Sequence, residues 1–306
     1  MSATTTRPPL RGRASAAPSR PRGPAGAQNG RAKRVVGRAL LALLLAVFLL
    51  WTVVPLAWML LGSFKSAVDV TSSTPKLLFE PTLDNYVGLF TGANNLLPYL
   101  WHSVAASVAS AVLATVLGTL AGYGLARTRG RRKDALSFWF ISTRMAPIAA
   151  VVLPLFLMFR LAGLIDTIPG LVLAYLSFNL PFAIWIMSAF FERIPSSLEE
   201  AAHVSGCTRW QTFWYVALPL SRSGLVTTGV LCLVFSWNDY AFATVVSGPD
   251  SQTLPIAATQ LVTQTGVDWG QLTAIGTIVV LPMVLVGLAV RKWLVTGLTL
   301  GAVTGE

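Results

Sequence analysis

"SSLEEAAHVSGCTRWQTFWYVALP", residues 196–219, lies between two long apolar segments of a 306-residue chain. It gathers two adjacent glutamates, a histidine, an arginine, a lone Gly206 and a closing Pro219 into one short polar passage. Its start reads as a helix N-terminus. Ser196 stands three residues before Glu199 and Ser197 three before Glu200, so either register offers a capping box. Glutamates in a first turn also suit the positive end of the helix dipole. Ala201 and Ala202 favour helix, and Gly206 reads as its stop, because glycine takes the left-handed cap conformation without strain. A second amphipathic piece, "TRWQTFWYVAL", carries Trp210, Phe213 and Trp214 at i, i+3 and i+4, and Pro219 opens the next apolar run. Two readings fit so compact a passage: a rigid knob with carboxylates at its tip that docks on another protein, or a capped helix at a membrane surface.

The surroundings point to a membrane. The chain is 54% hydrophobic and 11% charged, against about 25% charge in soluble domains. Six apolar runs, at residues 39–61, 98–126, 135–161, 168–191, 217–241 and 272–290, are each long enough to cross a hydrocarbon core of about 30 Å as a helix. Prolines within them (Pro55, Pro147, Pro154, Pro181 and Pro282) are tolerable where neighbouring helices satisfy the freed carbonyls. The expected fold class is all-α, a polytopic membrane protein with six transmembrane helices. A helix is also expected at "PTLDNYVGLF", in the connection after the first run. With two cysteines and two histidines far apart in sequence, the chain offers neither a disulfide framework nor a metal cluster.

Net charge is +11, and its placement separates lipid from nucleic acid as the partner. Nine of the 23 basic residues, from Arg7 to Arg38, precede the first apolar run with no acidic residue among them. "RTRGRRK" at 127–133, Arg193 and Arg209, and Arg291 with Lys292 fall on the same side of a six-span arrangement. The other side holds Lys65, Lys76 and Arg160. The excess of positive charge puts both termini and the 196–219 passage in the cytoplasm of a multi-pass protein of the cell (inner) membrane. The domain reading is a disordered basic tail over 1–38, a transmembrane domain over 39–295 with its polar loop at about 193–219, and a short cytoplasmic tail over 296–306.

Glu200-Ala201-Ala202, three residues, Gly206, nine residues, then Val216-x-Leu218-Pro219 resembles the EAA loop of binding-protein-dependent ABC importer permeases. The resemblance extends over most of residues 40–303, through "LAGYGLART" at 120–128, "RMAPIAAVVLPLF" from Arg144, "GLIDT" at 163–167, "FSWNDY" at 235–240 and the closing "GLTLGAVTG". Together these are similar to the carbohydrate-uptake branch, and to the second, six-span permease of maltose-type systems. Ser205 and Thr304 stand where that branch usually has Asp and Lys, and WND replaces the commoner WNE.

The resemblance implies the ABC type I importer permease fold. It also implies a coupling role for Glu199, Glu200, Ala201, Ala202 and Gly206, a short helix inserted into a cleft of a cytoplasmic ATPase. The implied partners are a second permease subunit, two copies of the ATPase and an extracytoplasmic sugar-binding protein. ATP and magnesium belong to the ATPase, and this chain has no phosphate-binding GxxxxGK[ST] of its own. It is therefore read as a transport subunit and not as an enzyme.

Polar residues inside spans point to pathways or to helix contacts. Asn238 and Asp239, beside Trp237 and Tyr240, offer an amide, a carboxylate and aromatic faces, as a sugar site would; packing of the helix end is the other reading. Asn179, just before Pro181, reads as an interhelical hydrogen-bonding group or a sugar ligand, and Arg144 as snorkelling to lipid or facing a cavity. A neutral mono- to trisaccharide is expected, because the outer halves of the fifth and sixth runs carry no basic residue and Asp239 would repel an anion. Glycerol-3-phosphate, a glycerophosphodiester or a polyol is the alternative cargo. A secondary transporter is the alternative of another class, and it would need paired intramembrane carboxylates or an inverted repeat.

Overall fold

The computed structural model describes residues 25–91, 95–264 and 266–299, with side chains between residues 36 and 293. The first 24 residues of the basic tail and the closing segment with Thr304 lie outside the described residues. Two compact units divide at Leu56 and Ala57. The first holds most of helix α1 (Ala25–Ser63), which carries exposed apolar side chains from Leu40 to Leu56. The helix begins fourteen residues before the first apolar run, within the stretch read as a disordered tail. Alanine, arginine and lysine there favour helix, so the turns already formed in the span propagate upstream.

Among its described residues, the regular structure of the second unit is helical apart from one hairpin of two-residue strands. After α2 (Ala67–Val70) and α3 (Asp84–Thr91), the latter within the connection where a short helix was expected, comes α4 (Leu97–Arg127). The chain then forms α5 (Arg131–Met145), α6 (Ile148–Leu161) and α7 (Ile168–Glu192). Helices α4 and α7 pack along a stripe of small residues, with Ala106, Ser110, Ala114, Gly118 and Gly122 buried at every fourth position of α4. A Cβ on Gly118 would collide with Ala183, and one on Gly122 would lie 2.8 Å from the Cβ of Met187. Close backbone approach of this kind gives dispersion contact where lipid supplies no hydrophobic drive between helices.

The polar passage becomes α8 (Ser196–Val204), α9 (Arg209–Thr212), a π-helical turn over Phe213–Ala217 and α10 (Leu218–Leu220), leading into α11 (Arg222–Trp237). α12 (Ala241–Val246), α13 (Leu254–Gln260), the antiparallel pair β1 (Val262–Thr263) and β2 (Gly266–Val267), and α14 (Trp269–Thr299) complete the chain. Among the described residues four helices, the α1, α4, α7 and α14 spans, are long and apolar enough to cross a membrane singly. The other two expected spans are not straight. α5 and α6 meet at 91°, and the α9–α10 segment meets α11 at 74°, giving up to six spans if each bent pair counts as one.

A proline stands at or near each break. Pro147 cannot donate a backbone hydrogen bond, and the residue before it, Ala146, is driven to extended backbone at φ −61, ψ 133. The second break falls at Ser221, which leaves helical geometry at φ −93, ψ 11. Upstream of it, inside the α9–α10 segment, Pro219 leaves the carbonyl of Tyr215 without its helical donor. The chain widens there into the π turn, in which Leu218 N–H reaches back to Phe213 O.

Away from the spans, Asp166 sits at φ 59 between α6 and α7. Its carboxylate accepts from Gly248 N (2.8 Å), Asp250 N (3.1 Å) and Ser251 Oγ (2.7 Å), pinning this loop to the α12–α13 connection. Burial alone would raise the carboxyl's pKa. The Ser251, Asp250 and Gly248 hydrogen bonds outweigh it and hold the group below the usual aspartate value.

Candidate functional site

α8 follows Pro195, which serves as its N-cap without any side-chain hydrogen bond. The capping boxes expected at Ser196 and Ser197 are not formed, because the helix begins at Ser196 and both serines fall inside its first turn; Glu199, the partner expected for Ser196, is also drawn away. The Glu199 carboxylate turns inward, the residue 8% exposed, toward the C-terminal end of α4. Arg127 Nε donates to both of its oxygens at 3.1 and 3.0 Å, and Nη2 adds a further bond to Oε1. Tyr123 Oη also donates to Oε2 at 3.2 Å. Arg127 Nη1 reaches Phe191 O at 3.2 Å, so one guanidinium joins α4, the end of α7 and α8. The capping box occurs one helix later. Thr208 Oγ1 accepts from Gln211 N, and Gln211 Oε1 accepts from Thr208 N.

Glu200, Ala201, Val204 and Gly206 face outward, with Val204 90% exposed, while Ala202 is half-buried. Gly206 takes φ 90, the left-handed stop read from the sequence. His203 Nδ1–H donates to Cys207 O at 3.0 Å, closing the turn. Of the three aromatics after it, Phe213 alone is buried, against Phe191 and Tyr123, while Trp210 and Trp214 are exposed.

The second candidate region is a cavity of about 770 Å³ beside the α5–α6 break. Arg144, Ser177, Phe178, Asn238, Asp239 and Tyr240 are on its wall. Arg144 stacks on Phe182 and Phe235 at 4.5 and 4.4 Å from their centroids and donates to Phe178 O at 3.3 Å. Its side chain lies on the cavity wall and meets no carboxylate among the described residues. Asp239 Oδ2 accepts from Phe242 N and Ala243 N at 3.2 and 3.1 Å, capping α12.

The remaining two pathway candidates lie elsewhere. Trp237 is buried, its indole N–H bonded to Val279 O of α14 at 3.0 Å. Asn179 is fully buried between α4, α7 and α11, donating to Ser236 Oγ (2.7 Å), Cys232 O (3.2 Å) and Ser110 Oγ (3.4 Å). Its position is that of an interhelical tie.

Residues 114–299 match the family model described as binding-protein-dependent transport system inner membrane component. The chain belongs to this family. Its relatives in the family include the trehalose transport system permease protein SugB of Mycobacterium tuberculosis, 35% identical over 83% of this chain and 93% of SugB. The diacetylchitobiose uptake system permease protein DasC of Streptomyces coelicolor is 30% identical over 85% of this chain and 94% of its own. A bacterial alginate ABC transporter, solved with an alginate pentasaccharide-bound periplasmic protein, has the same fold at a TM-score of 0.64. Identity to it is 16%, over 85% of this chain and 95% of that one. The resemblance to carbohydrate-uptake ABC permeases therefore holds, as does the type I permease fold. This inner membrane component is a multi-pass membrane protein and a transport subunit.

The Arg127 brace and the aromatic partners of Arg144 escaped the sequence reading. Arg127 was counted only as a topogenic charge, although a basic residue ending one apolar run and an acid opening the polar passage are a possible pair. The Arg144 stack had no local signal, since Phe182 and Phe235 come from other helices.

Proposed function

We propose that this chain is one of two non-identical membrane subunits of an ATP-driven importer of a neutral carbohydrate, mono- to trisaccharide in size. A separate ATPase couples to it through α8, and an extracytoplasmic binding protein delivers the sugar. The observation that carries the coupling role is the outward face of α8. An exposed carboxylate at Glu200, a small residue at Ala201 and a 90% exposed Val204 stand on a helix fixed from behind by Arg127. An ordinary interfacial helix would turn its apolar residues to its own protein or to lipid. Here a short apolar and acidic tip is held rigidly outward, which suits a cleft in a partner.

The relatives named for trehalose and diacetylchitobiose support a carbohydrate cargo. In this reading ATP closes the ATPase dimer, the α8 knobs of the two permeases move together, and the spans switch from inward- to outward-facing. Glu199 transfers that motion to α4 and α7, while Glu200 meets the ATPase. Competition in the reconstituted importer tests the cargo. Trehalose, maltose or diacetylchitobiose should compete for uptake. Block by micromolar glycerophosphocholine or glycerol-3-phosphate, with neutral sugars inert, would overturn the carbohydrate reading and leave the family membership standing.

A further inference from the structure

We propose that the cavity at the α5–α6 break is a carbohydrate-binding site within this subunit, with Arg144 and Asp239 as its paired hydrogen-bonding groups; this rests on the carbohydrate reading above. The volume, about 770 Å³, falls in the range of small-molecule sites, roughly 300–1,000 Å³, and holds a mono- or disaccharide. Its chemistry is more specific than its size. Arg144 is oriented by two phenyl faces and one carbonyl, so the guanidinium is pre-set while most of its donors stay uncommitted. Asp239 commits Oδ2 to the α12 backbone and leaves Oδ1 without a hydrogen bond among the described residues. Asn238 bonds Val234 O through Nδ2, leaving its own carbonyl oxygen uncommitted.

A planar donor fork, a carboxylate acceptor and an amide match vicinal hydroxyls, each of which both gives and takes a hydrogen bond. Tyr240, 47% exposed, offers a ring face to the C–H side of a pyranose. The one positive and one negative group cancel, which favours a neutral polyhydroxylated ligand over an anion. A lipid chain would leave both charges unsolvated in a low-dielectric setting. The break that opens the cavity is the extended Ala146–Pro147 step, so the site exists because α5 and α6 do not form one straight helix.

Ser177, exposed on the cavity wall, provides the test. The full importer, without binding protein, is prepared in nanodiscs with Ser177→Cys in a Cys207→Ser background. Maleimide labelling is timed with millimolar trehalose, maltose or diacetylchitobiose, and with glycerophosphocholine. At least one sugar should slow labelling several-fold, glycerophosphocholine should not, and adding Asp239→Asn or Arg144→Gln should abolish the protection. Thr143→Cys, across the cavity, should repeat the pattern. Unchanged labelling at both cysteines, in a complex that transports one of these sugars, would overturn the site alone. A complex that takes up glycerophosphocholine while neutral sugars are inert would overturn the carbohydrate reading itself.

Discussion

Arg127, the last residue of α4, holds both carboxylate oxygens of Glu199, in the first turn of α8. Two neighbouring glutamates that look equivalent in sequence are thereby divided, one facing the permease body and the other exposed. Removing one partner of such a shielded pair costs about 3 kcal/mol. Glu199→Gln should therefore loosen α8, giving ATP turnover that is poorly stimulated by substrate in an importer that still assembles. Arg127→Glu should do the same, and the exchanged pair Arg127→Glu with Glu199→Arg should recover part of the coupling. A double variant no better than the worse single variant would show that the pair is not the brace.

In the proposed coupling, Glu200 and Gly206 act on the partner side. Glu200→Lys reverses charge at the tip, and Gly206→Val forces a β-branched residue to φ 90. Both should abolish uptake while membrane insertion is retained, with weaker copurification of the ATPase. Normal uptake in both would make α8 a plain connector.

The orientation proposed from charge can be reported by accessible positions. Cys207, partly exposed, should resist an impermeant thiol reagent in sealed right-side-out vesicles, while Asp250→Cys, on an exposed turn, should be labelled. Ser251 is fully buried and bonded to Asp166, so its neighbour is the informative position. Labelling in the opposite sense would invert the topology.

Asp166 predicts a pH dependence outside the spans. Its folded pKa lies below the ordinary 3.8, so the latch is stabilising above that value and is lost as pH falls through the lower folded value. Amide exchange over residues 248–251 should stay slow from neutral pH down to about pH 4. Asp166→Asn, lacking the charge, should exchange several-fold faster at neutral pH. Equal protection in the two proteins would show that the carboxylate does not hold these loops.

Much of this was legible from local patterns. Apolar run length located the spans, and Gly206 marked the end of α8 because a left-handed residue there has few alternatives. Glu200-Ala201-Ala202 pointed to the family because its spacing to Gly206 and Pro219 is short-range information. The bends were not legible: Pro147 and Pro219 were visible, but a membrane helix can kink slightly or turn by 91°, and tertiary packing decides which. The side chains of Glu199 and Arg144 were equally hidden, since their partners lie in other helices. For Ser196, a long-range guanidinium holds the glutamate that a local cap would have used, and the helix starts earlier than either serine register required.

The central claim, that this chain couples sugar import to ATP through α8, is tested most directly by ATPase rates in proteoliposomes. The assembly contains this chain, its partner permease, the ATPase and the binding protein. Sugar-loaded binding protein should raise ATP turnover several-fold and drive sugar into the lumen, and Glu200→Lys should remove both responses. Uptake that needs no ATP, or turnover indifferent to loaded binding protein and to Glu200→Lys, would contradict the account.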